Sequence, residues 1–328
     1  MTASLKDKRP LTMFAKRQKI FLIRLIILVL CPLSIVYSPL FALTPIEKPN
    51  LKEPTGIAPA FFGPNAFPVP DMLDGLTQRE LHLELAGEGY FGYGGSRTAD
   101  LFARVHVPLF TRWANISLWM PVFGWYNQPA VNGEGLTVNG SGAGDVYISA
   151  DIQILHNEWF KTPNAKYIPQ MTIRAALKTA SGEQFDRRRH YDCPGYFFDL
   201  SMGQSIPMKH VTLRLAGSAG FLCWQTDNGR QNDAVMYGLQ AALRHEYVSL
   251  QATWGGYFGW ERYGDRPMTI KARVAGHVKG FEPYVQYQYG IKDYPFHQVR
   301  VGLIYHIAIL DRCAKRAQTA SLKDERPE

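Results

Sequence analysis

The chain has 328 residues and a formal charge of +8, a surplus that by itself would favour an acidic partner such as nucleic acid. Residues 1–42 hold most of it: Lys6, Lys8, Arg9, Lys16, Arg17, Lys19 and Arg24 face Asp7 alone, a balance of +6 that leaves about +2 for the remainder. With that distribution nothing favours a nucleic-acid partner, and none is expected.

In chain order, the basic stretch Lys16-Arg17-Gln18-Lys19 precedes an apolar run over 20–42, the layout of a secretory signal peptide with cleavage after Ala42. The nonapeptide TASLKDKRP at 2–10 recurs as TASLKDERP at 319–327, outside any expected fold, and Met13 offers an alternative start. Residues 43–79 are proline-rich and carry neither hydrophobic period, so they read as an extended arm. Its apolar centre, Ala58-Pro59-Ala60-Phe61-Phe62, makes it a candidate plug for whatever domain follows.

From residue 80 to 310 the chain alternates with period two, as strands do when one face meets an apolar medium and the other a polar one. Leu101, Ala103, Val105 and Val107 alternate with Asp100, Arg104 and His106, and Val299, Val301, Leu303, Tyr305 and Ile307 with Arg300 and His306. About twelve strands are predicted, at 80–91, 98–110, 114–125, 144–155, 168–178, 196–206, 210–224, 234–245, 247–259, 268–278, 281–290 and 297–310. Such lengths match membrane-spanning strands better than the globular average of about 5 to 6 residues. The fold class expected is all-β, a closed antiparallel up-and-down transmembrane β-barrel.

Outer-membrane barrels alternate short periplasmic turns with longer external loops, and most of the predicted connections follow that rule. The first hairpin, 92–97, and the connection 156–167 depart from it. Aromatics gather near the expected external ends, among them Tyr90, Phe91, Phe123, Trp125, Phe197, Trp224, Tyr257 and Phe258, as an interfacial belt would. Cys193 lies just before the sixth predicted strand and Cys223 near the end of the seventh, so a disulfide at the external rim is expected in an oxidising compartment. No C-x-x-C pair accompanies them, and neither a metal nor a cofactor is expected.

The last strand, Arg300-Val301-Gly302-Leu303-Ile304-Tyr305-His306-Ile307, resembles the C-terminal insertion signal of bacterial outer-membrane barrels, with Arg300, Gly302, Tyr305 and Ile307 at the matching positions. The resemblance implies the barrel assembly machinery as a partner, with outer-membrane lipid and lipopolysaccharide as surroundings. A polar tail, 311–328, follows where such signals commonly end the chain. FFGPNAFPVP, GAGDVYISADIQIL, ALKTASG and DCPGYFFDLS are also similar to barrels of Bacteroidota and, more loosely, to a family that takes up aromatic and other hydrophobic compounds. In that family a Gly-Asp strand opening precedes a Lys-Thr-x-x-Gly strand end, matched here by Gly144-Asp145 and Lys178-Thr179-Ala180-Ser181-Gly182.

Inward parity gives a candidate pore lining of Glu84, Asp100, Asp145, Asp151 and Asp199 with Arg104, Arg174, Lys178, Arg214, Arg244, Lys271, Arg273 and Arg300. The basic surplus points to a passive channel or transporter for an unspecified small solute, hydrophobic ones included, with a slight anion preference; the alternatives are a closed structural or surface-binding barrel and, after it, a membrane-embedded lipid hydrolase. An enzyme is not expected, because no G-x-S-x-G elbow occurs and the lipid-facing parity holds almost no Ser or His. The loop 186–192, with Arg187, Arg188 and Arg189, is a further candidate for acidic saccharide or lipopolysaccharide phosphate.

Overall fold

A chain that alternates apolar and polar residues can pair its whole backbone in a ladder while sorting its side chains onto two faces. The computed structural model describes residues 67–92, 95–109, 113–128, 138–182, 193–225, 231–260 and 264–308. The expected signal peptide, the first part of the arm, the arginine loop and the polar tail lie outside those residues. The strands are β1 (Leu81–Phe91), β2 (Arg97–Pro108), β3 (Ala114–Gln128), β4 (Val138–Gly142), β5 (Tyr147–Leu155), β6 (Gln170–Lys178) and β7 (Gly195–Pro207). They continue as β8 (Thr212–Gln225), β9 (Gln231–Arg244), β10 (Val248–Gly259), β11 (Met268–Gly276), β12 (Phe281–Lys292) and β13 (His297–Ile307).

Neighbours in sequence pair antiparallel, and β1 pairs with both β2 and β13, from Leu81↔Ile307 to Phe91↔His297. The ring is therefore closed and leaves no edge in its wall. β4 stands apart: it pairs only with the end of β3, while the body of β3 continues to β5, so the barrel proper has twelve strands. We call the end where β1 begins and β13 finishes the lower end. The connection between β5 and β6, also at that end, holds two short 3-10 turns, Asn157–Trp159 and Pro163–Tyr167.

The wall is inverted relative to a water-soluble sandwich. Leu85, Leu239 and Val301 are 55%, 58% and 54% exposed on the outside, whereas Glu84, Asp100 and Arg300 are buried within. Exposed aromatics ring both ends: Phe91, Phe123, Trp125 and Trp260 above, and Trp159, Phe160, Tyr167, Tyr247 and Phe281 below. A continuous apolar surface with two aromatic girdles is the exterior that lipid requires.

Two features depart from the simple alternation. On β3, Leu101 pairs with Phe123 but Phe102 with Pro121, so Val122 is an extra residue. That bulge switches the inward set from Ser117 and Pro121 to Gly124 and Tyr126, and leaves Val122 and Phe123 both exposed. The aromatic belt expected at the upper rim also divides, because Tyr90, Phe197, Trp224 and Tyr257 face inward and pack together in a buried cluster.

The expected disulfide is not formed: Cys193 and Cys223 hold separate thiols. Both lie at the upper rim, but the inward residues nearby are Gly195 and Phe197 on β7 and Leu222 and Trp224 on β8. Cys193, just before β7, joins that cluster and its Sγ donates to the Gln225 carbonyl at 3.1 Å, while Cys223, also buried, stands opposite Tyr196 in the ladder.

Candidate functional site

The lumen gathers the polar residues of the chain, and its axis is occupied by residues 67–80 of the arm, running from the upper rim down to the start of β1. Proline at positions 68 and 70 keeps this segment extended and removes donors that a ladder would need, so its polar groups turn to the wall instead.

At the top the arm is held by apolar contact. Phe67 packs edge-on against Trp224 with ring centroids 5.7 Å apart, and Trp224 against Tyr257 at 5.1 Å. The Phe67 amide donates to the Tyr257 hydroxyl at 2.7 Å. Lys178 reaches over the Phe67 ring, 5.2 Å from its centroid, and forms an ion pair with Asp145. Asp145 in turn accepts the amides of Ser181 and Gly182 at 2.9 and 2.6 Å. The Gly-Asp and Lys-Thr-x-x-Gly elements are thus two halves of one structure, a carboxylate capping the turn that follows the lysine.

Halfway down, the arm carboxylate Asp71 meets Arg104 and Lys271, each at 2.8 Å, and Arg300 at 3.5 Å. Arg174 donates to the Asp71 carbonyl at 2.8 Å and pairs with Asp199 at 2.7 Å. Arg300 also pairs with Glu88, and Arg104 lies 3.6 Å from Glu84.

Lower still, Asp74 takes Arg214 at 2.8 Å and Arg244 at 2.7 Å. Arg214 is fully buried and completes its fork on Gln170 and Ser205 at 3.0 and 2.9 Å. Gly75 then touches the wall with backbone alone: its φ is +86°, and a Cβ there would stand 2.5 Å from the Gln170 carbonyl oxygen. Gly203 on β7 answers it, since a Cβ on that residue would fall 2.1 Å from the Asp74 carbonyl oxygen. Gln153 closes the lower contact by donating to the Gly75 carbonyl at 2.7 Å and accepting the Thr77 amide at 2.9 Å.

Of the candidate lining, Glu84, Asp100, Asp145, Asp151, Arg174, Lys178, Asp199, Arg214 and Arg300 are buried inside the barrel. Arg104, Lys271 and Arg273 also face the lumen but are only partly buried. Asp151 is held by Asn115 at 2.7 Å, and Arg273 by Glu282, also at 2.7 Å. Arg244 does not belong to a buried lining, because its side chain is 47% exposed at the lower mouth. In the stretch that resembles an insertion signal, Arg300 and Gly302 face inward, whereas Tyr305 lies on the outer face and stacks on Phe281 at 4.7 Å. Ile307 ends β13. Gly302 has a packing role as well: a Cβ there would stand 2.6 Å from the Tyr284 ring, which lies over the glycine and donates to Glu84.

The sequence reading missed the two arm carboxylates. Asp71 and Asp74 are the only acids between 54 and 79, a signal masked by the apolar and proline-rich content around them. It also passed over Glu88 and Glu282, although Glu88 shares the parity of Glu84. Beside the arm a cavity of about 560 Å³ remains, lined in part by Glu84, Gln251, Arg273, Gln286 and His306.

No protein-family model matches the sequence, and no curated protein matches it. Among solved structures the chain is similar to the β domain of the Bordetella autotransporter BrkA, at 12% identity over 69% of this chain and 98% of that one, with a TM-score of 0.36. The transport unit of the autotransporter AIDA-I from Escherichia coli matches at 11% identity over 73% and 93%, with a TM-score of 0.39. The Acinetobacter baumannii outer membrane protein Omp33 matches at 7% identity over 70% and 100%, with a TM-score of 0.33. These are distant likenesses between barrels, and what the lumen does has to be read from its own residues.

Proposed function

We propose that the protein is an outer-membrane channel for small anionic solutes, held shut by its own arm. The observation that carries this reading is the charge match along the axis: Asp71 and Asp74 together engage Arg104, Lys271, Arg300, Arg214 and Arg244. The arm occupies these cations as an anionic ligand would, and its removal uncovers a basic ladder from the middle of the lumen to the lower mouth. A local potential of that sign favours anions in a pore. The apolar exterior with its two girdles supports an outer-membrane setting, in which lipid and lipopolysaccharide surround the wall and the assembly machinery inserts it. The collar around Phe67 is compatible with the sequence's resemblance to uptake barrels for hydrophobic compounds. No catalytic step enters this reading.

Selectivity is the test. In a channel with residues 45–75 deleted, reversal potentials across a salt gradient should report anion preference, and Lys271→Glu with Arg300→Glu should move that preference toward cations. Cation preference before the charge reversal, or an unmoved potential after it, contradicts the reading.

A second reading rests on the collar itself. Phe67, Phe197, Trp224 and Tyr257 fill the upper lumen with apolar side chains, as a permanently closed structural barrel would. Silence of every arm variant in planar bilayers favours that alternative.

A further inference from the structure

The barrel closes where β1 meets β13, and at the lower end of that seam the register sets His82 directly opposite His306. Their rings stand 4.2 Å apart, with His306 Nδ1 2.9 Å from His82 Nε2. Glu80, just before β1, brings a carboxylate oxygen to 3.7 Å from the same Nδ1. The three donor atoms lie within 4.8 Å of one another. Donors bound tetrahedrally to one zinc-sized ion sit about 3.3 Å apart, for bonds of about 2.0 Å, so small side-chain rotations would bring these three to that spacing.

The far side of His306 supplies an independent observation. Its Nε2 lies 3.3 Å from Glu282, which Arg273 holds at 2.7 Å. A carboxylate accepting Nε2–H fixes the tautomer and leaves Nδ1 with its lone pair toward His82 and Glu80. Two imidazoles, one carboxylate and an oriented second-sphere carboxylate make a donor set for a borderline transition ion, not for magnesium or calcium, which prefer all-oxygen sites. His82 and His306 both border the lumen cavity, so solvent reaches the remaining coordination position.

We propose that Glu80, His82 and His306 form a binding site for a divalent ion of the zinc class, with Glu282 orienting His306. The ion would tie the first strand to the last and so fasten the barrel at its seam.

The test uses the full-length protein, without a polyhistidine tag, folded in detergent and stripped with chelator. Zn²⁺ alone, titrated by calorimetry, should bind at one equivalent per barrel and raise the unfolding temperature, while Mg²⁺ at the same concentration does neither. His82→Ala and His306→Ala should each weaken binding by more than roughly tenfold, and Glu282→Gln by roughly ten- to a hundredfold. Glu80→Gln lies outside the strand ladder and keeps the test open if a strand variant fails to fold; it should weaken Zn²⁺ several-fold. His297→Ala, at the upper end, should leave binding unchanged. Absence of saturable binding, or affinity that survives His306→Ala but is lost on replacing His210 or His245, overturns the proposal.

Discussion

Arg214 and Arg244 share the Asp74 carboxylate but differ in what surrounds them, which makes them a measure of what burial does to an ion pair. Removing a fully buried guanidinium strands its carboxylate and two further acceptors, so Arg214→Ala should cost about 3–5 kcal/mol of unfolding free energy. The half-exposed Arg244 is screened, and Arg244→Ala should cost about 1 kcal/mol or less. Denaturant unfolding of the two variants in detergent checks the contrast, and equal losses contradict it. Gly302 and Tyr305 form a second residue-scale case. Gly302→Val would push a branched side chain into the Tyr284 ring, and Tyr305→Asp would place a charge on the apolar outer face against Phe281. Both should lower the yield of heat-modifiable barrel more than any single change beyond Asp311; wild-type yield from either contradicts this. The cysteines show the limit of residue-scale inference: strand order places both at the upper rim, but a shared rim does not by itself make a bond, and the two thiols are separate.

Among the elements, strands were the legible part, because twelve alternating runs each repeat one physical requirement and the observed bounds fall within a few residues of those expected. What escaped has local causes. β4 is the five-residue stretch VNGSG, too short and glycine-rich to show a period, and it exists because the end of β3 offers it a ladder. The Val122 bulge was invisible because one inserted residue leaves composition unchanged while reversing parity. Half of the aromatic belt turned inward for a related reason: position along a strand does not tell which face a ring occupies. The arm was legible as extended and apolar, but not as an anionic ligand of the wall, since that role appears only when distant strands bring their cations together. Its lower attachment depends on backbone touching backbone at Gly75 and Gly203. Gly75→Val should therefore loosen the arm, and a cysteine at Met72, which packs near Gly238, should react several-fold faster with a soluble maleimide in that background. An unchanged rate would falsify this anchoring.

For the whole molecule, the pairing of β1 with β13 closes the ring, and the charged side chains of the wall gather in the lumen. The candidate lining read from parity has a basic surplus of eight against five. Glu88 and Glu282 on the wall reduce it to eight against seven, and Asp71 and Asp74 on the arm turn it to eight against nine. The proposed channel therefore rests on where the charges sit, with the arm carboxylates placed on the wall cations, more than on their total. Single-channel recording in planar bilayers tests that claim most directly, comparing the full-length barrel with one lacking residues 45–75 and with the pair Asp71→Asn and Asp74→Asn, all first checked for heat-modifiable folding. The account expects the full-length barrel to be nearly silent, the deletion to conduct with anion preference, and the double substitution to open intermittently as the arm loses its hold. Equal conductance from all three, or silence from the folded deletion, would contradict it.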